Sequence, residues 1–391
     1  MERAVDLDRY DAAALADREG AKWALHGTKA LAAWVADMDF PVAPEIVAAL
    51  LARVEHDDLG YPDPSLDASV RAGFAAHVSA RHGHVVDPED VVLVSDVVQA
   101  IYLSLLTLTE PGDGVVFLTP AYPPFFTAAV DTGRRALTCD LVSGGDRYEI
   151  DVDALEALVR SERPTCLLLC NPHNPTGRCF TRPELARIAE LARAAGLVVL
   201  SDEIHGDLTL PGATHVPFAT VSADAAARSV TFGSASKAYN VAGLRCAVAA
   251  FGSAPLRERF ESFPARARGD VGIAGMIAAV TAWAQCDWWL DAVLGELAAN
   301  RGTVTAWAAA RSDAVRLVAP EATYLAWLDL REANIGDDPA SWLLEHAGVA
   351  LSPGPAFGDA GRGFARLNFA TSRPVLDEIL RRLAVALDGR E

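Results

Sequence analysis

Between positions 91 and 250 the chain carries seven short strand-like runs, most of them apolar at consecutive positions. They are VVLV (91–94), VVFL (115–118), a stretch at 136–142, TCLLLC (165–170), LVVL (197–200), SVTF (229–232) and RCAVAA (245–250). A strand with one wet face alternates apolar and polar residues, whereas a run apolar throughout has to be covered on both faces. Helical spacing fills the gaps, at 101–108, 125–130, 151–160 and 181–196. Thr181 followed three residues later by Glu184 has the form of a capping box, and Gly196 marks that helix's end. Strands buried on both faces and alternating with helices predict an α/β fold with a mostly parallel, seven-stranded sheet.

The last hundred residues follow a different pattern. A long helical stretch covers 287–310, followed by VRLV, TYLAWLDL, a helix near 341–347, ARLNFA and a final helix to about Leu387. This predicts a smaller α+β domain. The expected division is an N-terminal arm at 1–44 that contributes to the small domain, a large domain at 45–290 and the small domain at 291–391. No internal repeat is visible.

Composition excludes several classes. The net charge of −18 repels nucleic-acid phosphates and anionic membranes, so neither is an expected partner. The longest uncharged runs, 114–130 and 271–286, fall short of the roughly 20 apolar residues needed to span a bilayer. The charged N-terminal segment does not have the form of a secretory signal. Six cysteines without a close CxxC pair give neither a zinc pattern nor a disulfide framework, so no metal is expected and free thiols suit a cytoplasmic protein.

The chemistry sits just after the apolar runs, where open α/β sheets bind ligands. Ser234-Ala235-Ser236-Lys237 follows SVTF. A lysine at a strand end among small hydroxyl residues suits a buried amine that can lose its proton and attack an aldehyde. The two serines and the nearby Arg245 can hold phosphate oxygens. NPHNPTGR (171–178) follows TCLLLC as a rigid turn and offers the Asn174 amide. Ser201-Asp202-Glu203-Ile204-His205 follows LVVL; a carboxylate there can pair with a protonated ring nitrogen. In the small domain, Arg366 of ARLNFA can grip a carboxylate through two parallel hydrogen bonds. Each motif alone also has an ordinary reading: a solvated lysine, a strand-ending loop, a turn aspartate, a structural histidine at 205, a surface ion pair. The ordered set is what carries specificity.

Taken together, NPHNPTGR, SDEIH, SASKAYNVAGLR and ARLNFA resemble the fold-type-I pyridoxal-phosphate enzymes of the class I/II aminotransferase superfamily. The likeness runs from about Trp34 to the C-terminus. WVADMDF (34–40), Gly60-Tyr61-Pro62, NPHNP and DEIH are most similar to the MalY/PatB-type cystathionine β-lyases, or C–S lyases. The resemblance implies pyridoxal 5'-phosphate as cofactor and a homodimer with a shared active site. Lys237 corresponds to the Schiff-base lysine and proton shuttle. Asp202 corresponds to the partner of the pyridine nitrogen, Asn174 to the residue near the ring hydroxyl, and Tyr122 to the aromatic stacked on the ring. Ser234, Ser236 and Arg245 correspond to phosphate ligands, with the helix start at Val97 and Val98 offering backbone N–H groups. His205 lies in the same cofactor-binding set. Arg366, with Asn174 and Tyr122, corresponds to the substrate-carboxylate site, and Tyr61 to a tyrosine that reaches the neighbouring subunit's phosphate.

Two features depart from that branch. Ser95-Asp96-Val97-Val98-Gln99 lacks the glycine and proline usual around the two valines, and Asp96 puts an anion near the expected phosphate. Arg245 is more typical of ordinary aminotransferases. The expected reaction is β-elimination from L-cystathionine or another cysteine S-conjugate, giving a thiol, pyruvate and ammonia. Transamination of an L-amino acid uses the same Lys237, Asp202 and Arg366 and is the alternative; a non-catalytic regulator on this fold is the third reading.

Overall fold

The computed structural model describes residues 4–389. The first strand, β1 (Leu31–Ala32), is followed by eight that form one sheet: β2 (Val91–Val94), β3 (Gly114–Thr119), β4 (Arg135–Ser143), β5 (Tyr148–Ile150), β6 (Cys166–Cys170), β7 (Val198–Asp202), β8 (Ser229–Gly233) and β9 (Ala247–Phe251). Their order is β2-β9-β8-β7-β6-β3-β4-β5. The neighbours from β8 through β4 are parallel, β9 runs against both β2 and β8, and β5 runs against β4. Strands β3, β6, β8 and β9 are buried at every residue, as their unbroken apolar runs require.

The sheet therefore has eight strands, not the seven expected. The extra one, β5, is three residues long and returns from β4 through a turn closed by the Gly144 N–H on the Arg147 carbonyl, 2.8 Å. So short an element gives no periodicity to read. The run at 245–250 also begins two residues late as a strand, because Arg245 sits in left-handed backbone at φ 56°.

Helix Arg182–Ala195 has the expected capping box: Thr181 and Glu184 satisfy each other's backbone, and Gly196 closes the helix at φ 71°. Helix Val97–Leu108 is capped by Asp96, whose Oδ1 accepts from the Gln99 N–H at 2.8 Å. Helices Pro44–Glu55 and Pro64–His82 pack against the apolar helix Ile273–Gln285 on one side of the molecule.

After the long helix Asp287–Ala309 come β10 (Arg316–Leu317), β11 (Leu325–Asp329), β12 (Val349–Ala350), β13 (Ser352–Pro353) and β14 (Phe364–Asn368). Four of these form an antiparallel sheet in the order β10-β11-β14-β13, while β12 pairs in parallel with β1. The final helix, Arg373–Asp388, buries Val375, Leu376, Ile379, Leu380, Leu383 and Leu387, a stripe at helical spacing. The N-terminal segment is thus stitched into the C-terminal part of the chain. Among the described residues no helix is long and apolar enough to cross a membrane. All six cysteines are free and buried.

The turn after β7, which follows the predicted Asp202 and carries His205, is clamped from outside. His77 and His82, both on helix Pro64–His82, donate to the two carboxylate oxygens of Asp207, each at 2.8 Å. Burial alone would raise the Asp207 carboxyl, but the two imidazoles outweigh it and hold the group well below the usual carboxylate range. A depressed folded pKa gives stability that is present above the unfolded value and lost as pH falls. Asp207→Asn should therefore cost roughly 2–3 kcal/mol at neutral pH, with the difference from the parent closing below about pH 4. Urea unfolding from pH 3 to pH 8 measures this, and a pH-independent gap would contradict it.

Candidate active site

The carboxyl ends of β2, β6, β7 and β8 open onto one cavity of about 380 Å³. Val97, Val98, Tyr122, Asn174, Asp202, His205, Ser234, Ser236, Lys237 and Arg245 all line it. Parallel strands that end together are what gather these residues from a span of 149 positions. The NPHNPTG turn is fixed against the segment that precedes β11. Gly177 has φ 70°, and a Cβ there would lie 2.3 Å from Pro320 Cβ, so only glycine lets the loop carrying Asn174 pack so closely.

Lys237 sits on the single helical turn after β8, Ala235–Ala238. Its Nζ donates to the Ala36 carbonyl at 2.6 Å and lies 3.8 Å from Asp37 Oδ1. Burial pushes the amine below its ordinary range, and the cationic Arg366 adds to this; Asp37 and Asp202 pull the other way. The amine is therefore easier to deprotonate than a surface lysine.

Asp202 ends β7 and is 4 % exposed. Its Oδ1 accepts from the Ile204 N–H at 3.2 Å. Burial raises its carboxyl to about 7, because no fixed cation meets it. His205 is also buried; desolvation lowers its imidazole to about 3, so the ring is neutral, and its Nδ1 has no partner.

The other end of the cavity is a cradle of donors. Ser234 caps the turn carrying Lys237, accepting from the Ser236 N–H at 3.0 Å and donating to the Cys246 carbonyl at 2.6 Å. Val97 and Val98 occupy the first turn of their helix, where N–H groups have no partner within the helix. Arg245 lines the same end and pairs with Asp96 Oδ2. The Asp96 carboxylate is thus engaged on both oxygens, by a helix N–H and by a guanidinium. Its neighbour Gln99 turns away, accepting from Ser95 at 2.8 Å and donating to the Arg268 carbonyl at 2.6 Å.

Arg366 lies on β14 with 5 % exposure. Its guanidinium donates to Asn174 Oδ1 at 2.9 Å, to the Trp34 carbonyl at 3.0 Å and to Ser352 Oγ at 3.0 Å. All three acceptors are neutral, and Nε has none. Burial lowers the group to about 10, with Tyr122 and Tyr324 opposing. A buried guanidinium with an unpartnered Nε and no ion pair among the described residues has donor capacity left for an anion such as a carboxylate.

Tyr61 is not brought to this cavity. It is 99 % exposed and lines a separate recess with Leu59 and Arg268. Four contributors had no role assigned from sequence: Ala36 and Asp37 beside the lysine, Tyr324, which donates to the Ala36 carbonyl at 2.8 Å, and Ser352. Ala36 and Asp37 stood within a distinctive motif but act through a carbonyl and through proximity, and nothing in the local sequence marks Tyr324 or Ser352.

Residues 35–383 match the family described as aminotransferase class I and II. Cystathionine beta-lyase PatB of Bacillus subtilis (strain 168) is 35 % identical over 362 residues, covering 92 % of this chain and 93 % of its own. The crystal structure of cystalysin from Treponema denticola, which contains a pyridoxal 5'-phosphate cofactor, has a TM-score of 0.93 at 29 % identity and covers 99 % of both chains. That of OvoB has a TM-score of 0.92 at 36 % identity, again over 99 % of both. The chain belongs to the class I and II aminotransferase family, with the fold of the fold-type-I pyridoxal-phosphate enzymes.

Proposed function

We propose that this protein is a pyridoxal-phosphate-dependent carbon–sulfur β-lyase that converts L-cystathionine or another cysteine S-conjugate to a thiol, pyruvate and ammonia. One observation carries the chemistry: a buried amine, a buried carboxyl that lacks a cation and a buried guanidinium that lacks an anion meet at one site. The likeness to PatB, together with WVADMDF and DEIH, favours elimination over transamination.

The residues present fit the cofactor. Asp202, held protonated near neutrality by burial, would ionise against a pyridinium nitrogen. Ser234, Ser236, Arg245 and the N–H groups of Val97 and Val98 would hold its phosphate. Asn174 and the unpartnered His205 Nδ1 supply polar groups at the ring's edge, and Tyr122 supplies an aromatic face. The cavity, about 380 Å³, is of a size suited to such a ligand. Bound there through Lys237, pyridoxal phosphate supplies an electron sink for the charge left at Cα.

The chain's own groups do the rest. Arg366, whose Nε has no partner, would take the α-carboxylate and fix the orientation of the Cα–H bond. The neutral Lys237 amine takes the Cα proton as general base and, as ammonium, returns a proton to the departing sulfur. We further place the enzyme as a cytoplasmic homodimer, in which the exposed Tyr61 reaches the partner's phosphate site. Leu51, Val54 and Leu59, each more than half exposed, give that region apolar surface. The same reading divides the chain at 1–44, 45–290 and 291–391.

Purified protein given L-cystathionine without keto acid should release thiol and pyruvate in equal amounts. A visible band that converts to the amine form with no thiol would instead establish transamination. Lys237→Ala should lose at least about 10³-fold in kcat, since it removes both the attachment point and the base; retained turnover would sink the proposal.

Asp202→Asn separates cofactor binding from folding. A carboxyl with a raised folded pKa loses stability as pH climbs from about 4 to about 7. The cofactor-free variant should therefore be more stable than its parent at pH 8, on the order of 2–4 kcal/mol, and equal to it near pH 4. The loaded variant should nonetheless turn over far more slowly. Thermal melts with and without pyridoxal phosphate, beside steady-state rates, test both signs.

A further inference from the structure

We propose that Asp37 is a positioning residue for the Lys237 amine, the counter-ion that keeps its protonated form in place and sets how strong a base it is. The inference rests on the reading of Lys237 as the group that carries the Cα proton. Nothing in the sequence motifs around Lys237 points to Asp37, which lies 200 positions earlier on the N-terminal arm.

The geometry comes from an unusually constrained peptide. Lys237 Nζ donates to the Ala36 carbonyl at 2.6 Å and faces Asp37 Oδ1 at 3.8 Å. The same Ala36 carbonyl accepts from Tyr324 Oη at 2.8 Å. The Asp37 carbonyl accepts from Asn368 Nδ2 at 2.7 Å and from Lys22 Nζ at 3.1 Å. The Asp37 N–H is closed on the Val35 carbonyl at 2.9 Å. The backbone that presents the carboxylate is therefore held from four sides, which fixes where the 38 % exposed Asp37 side chain starts and keeps it beside Nζ.

The ionisable groups around the amine come from several elements. Asp37 comes from the arm, Asp202 from β7 and His205 from the turn after it. Arg366 comes from β14, and Tyr324 stands just before β11. His205 is neutral. Burial and Arg366 disfavour the ammonium; Asp37 and Asp202 favour it. Once Asp202 is committed to the ring nitrogen, Asp37 is the carboxylate left to balance a positive Nζ. When the Cα–H bond breaks, its proton moves to Nζ and its electron pair stays with the substrate–cofactor unit, so a cation forms beside Arg366. Asp37 takes no proton in this step. It makes the ammonium less acidic and the amine a better base.

The chain has three lysines, Lys22, Lys29 and Lys237, so the amine can be titrated directly in cofactor-free protein. The pH dependence of acetylation by trace acetic anhydride, read peptide by peptide by mass spectrometry, gives the Lys237 midpoint, with exposed Lys29 as internal reference. In Asp37→Asn the Lys237 midpoint should fall by about one unit and its reactivity at neutral pH should rise roughly tenfold, with Lys29 unmoved. Asp37→Glu should restore most of the midpoint. In the loaded enzyme, the acid limb of the kcat profile, below which the amine is protonated, should move to lower pH in Asp37→Asn while the plateau falls. An unchanged Lys237 midpoint in folded Asp37→Asn overturns the inference. If that variant fails to fold, Asp37→Ser read the same way decides. If no substrate turns over, the lyase reading fails, but the lysine titration still decides the role of Asp37.

Discussion

The backbone of residues 33–38 is the constraint on which the site depends. The Trp34 carbonyl accepts from Arg366 and from Ser352, and the Ala36 carbonyl accepts from Lys237 and Tyr324. The Val35 and Asp37 carbonyls share the two hydrogens of the Asn368 amide, at 2.6 Å and 2.7 Å. Met38 is bonded at both its N–H and its carbonyl by Asn240, three residues after the lysine. Apart from the Asp37 N–H on the Val35 carbonyl, the segment offers these groups no internal partners, and burying them unpaired would cost on the order of 1–3 kcal/mol each. Satisfying them from β13, β14, Tyr324 just before β11, and the Lys237 turn with Asn240 after it joins the large sheet to the small one. Placement of the reacting groups is thus a by-product of meeting a backbone demand.

The site's electrostatics follow a second rule: its strongest charges are left incomplete. Elsewhere some buried charges are paired, as in Lys22 with Asp39 at 2.8 Å and Arg178 between Glu184 and Glu321, while buried Arg134 is satisfied at all three nitrogens by neutral oxygens of Thr109 and Thr132. Arg366 has only neutral acceptors, and Asp202 has a backbone N–H. A buried charge without an opposite is costly, and a fold tolerates it where a ligand completes the pair. An amino-acid carboxylate and a protonated pyridine are complementary to the two vacancies.

Much of this was legible in sequence because it lies on regular elements. Unbroken apolar runs such as CLLLC and VTF report strands buried on both faces, and the polar residues that follow each run sit at the sheet's carboxyl edge. Thr181, Glu184 and Gly196 report a helix's two ends because capping is local chemistry. What was not legible acts at long range or through the main chain. The Ala36 carbonyl has no side-chain signature. Ser352 on β13 and Tyr324 just before β11 matter because those two strands flank β14, a pairing that no short-range spacing encodes. Strand β5 was too short to show a period, and Tyr61 is displayed on the surface, away from the cavity, in a single chain.

The aspartate at position 96 shows how a local departure can be absorbed. An acid beside an anion site is repulsive if its charge is free. Here one oxygen caps the helix on the Gln99 N–H and the other pairs with Arg245, so the carboxylate is spent before any ligand arrives. Arg245 is about two-thirds exposed, and its own attraction is screened by water and shared with Asp96. In the proposed cradle the pull on a phosphate would therefore come mainly from the helix N–H groups of Val97 and Val98 and from the two serine hydroxyls, which are fixed dipoles rather than net charge. Such a cradle works on a chain of net charge −18 because dipoles at contact distance outweigh a diffuse surface field that salt screens within about 10 Å. The glycine and proline usual around the two valines are then dispensable: the Asp96 cap starts the helix in their place.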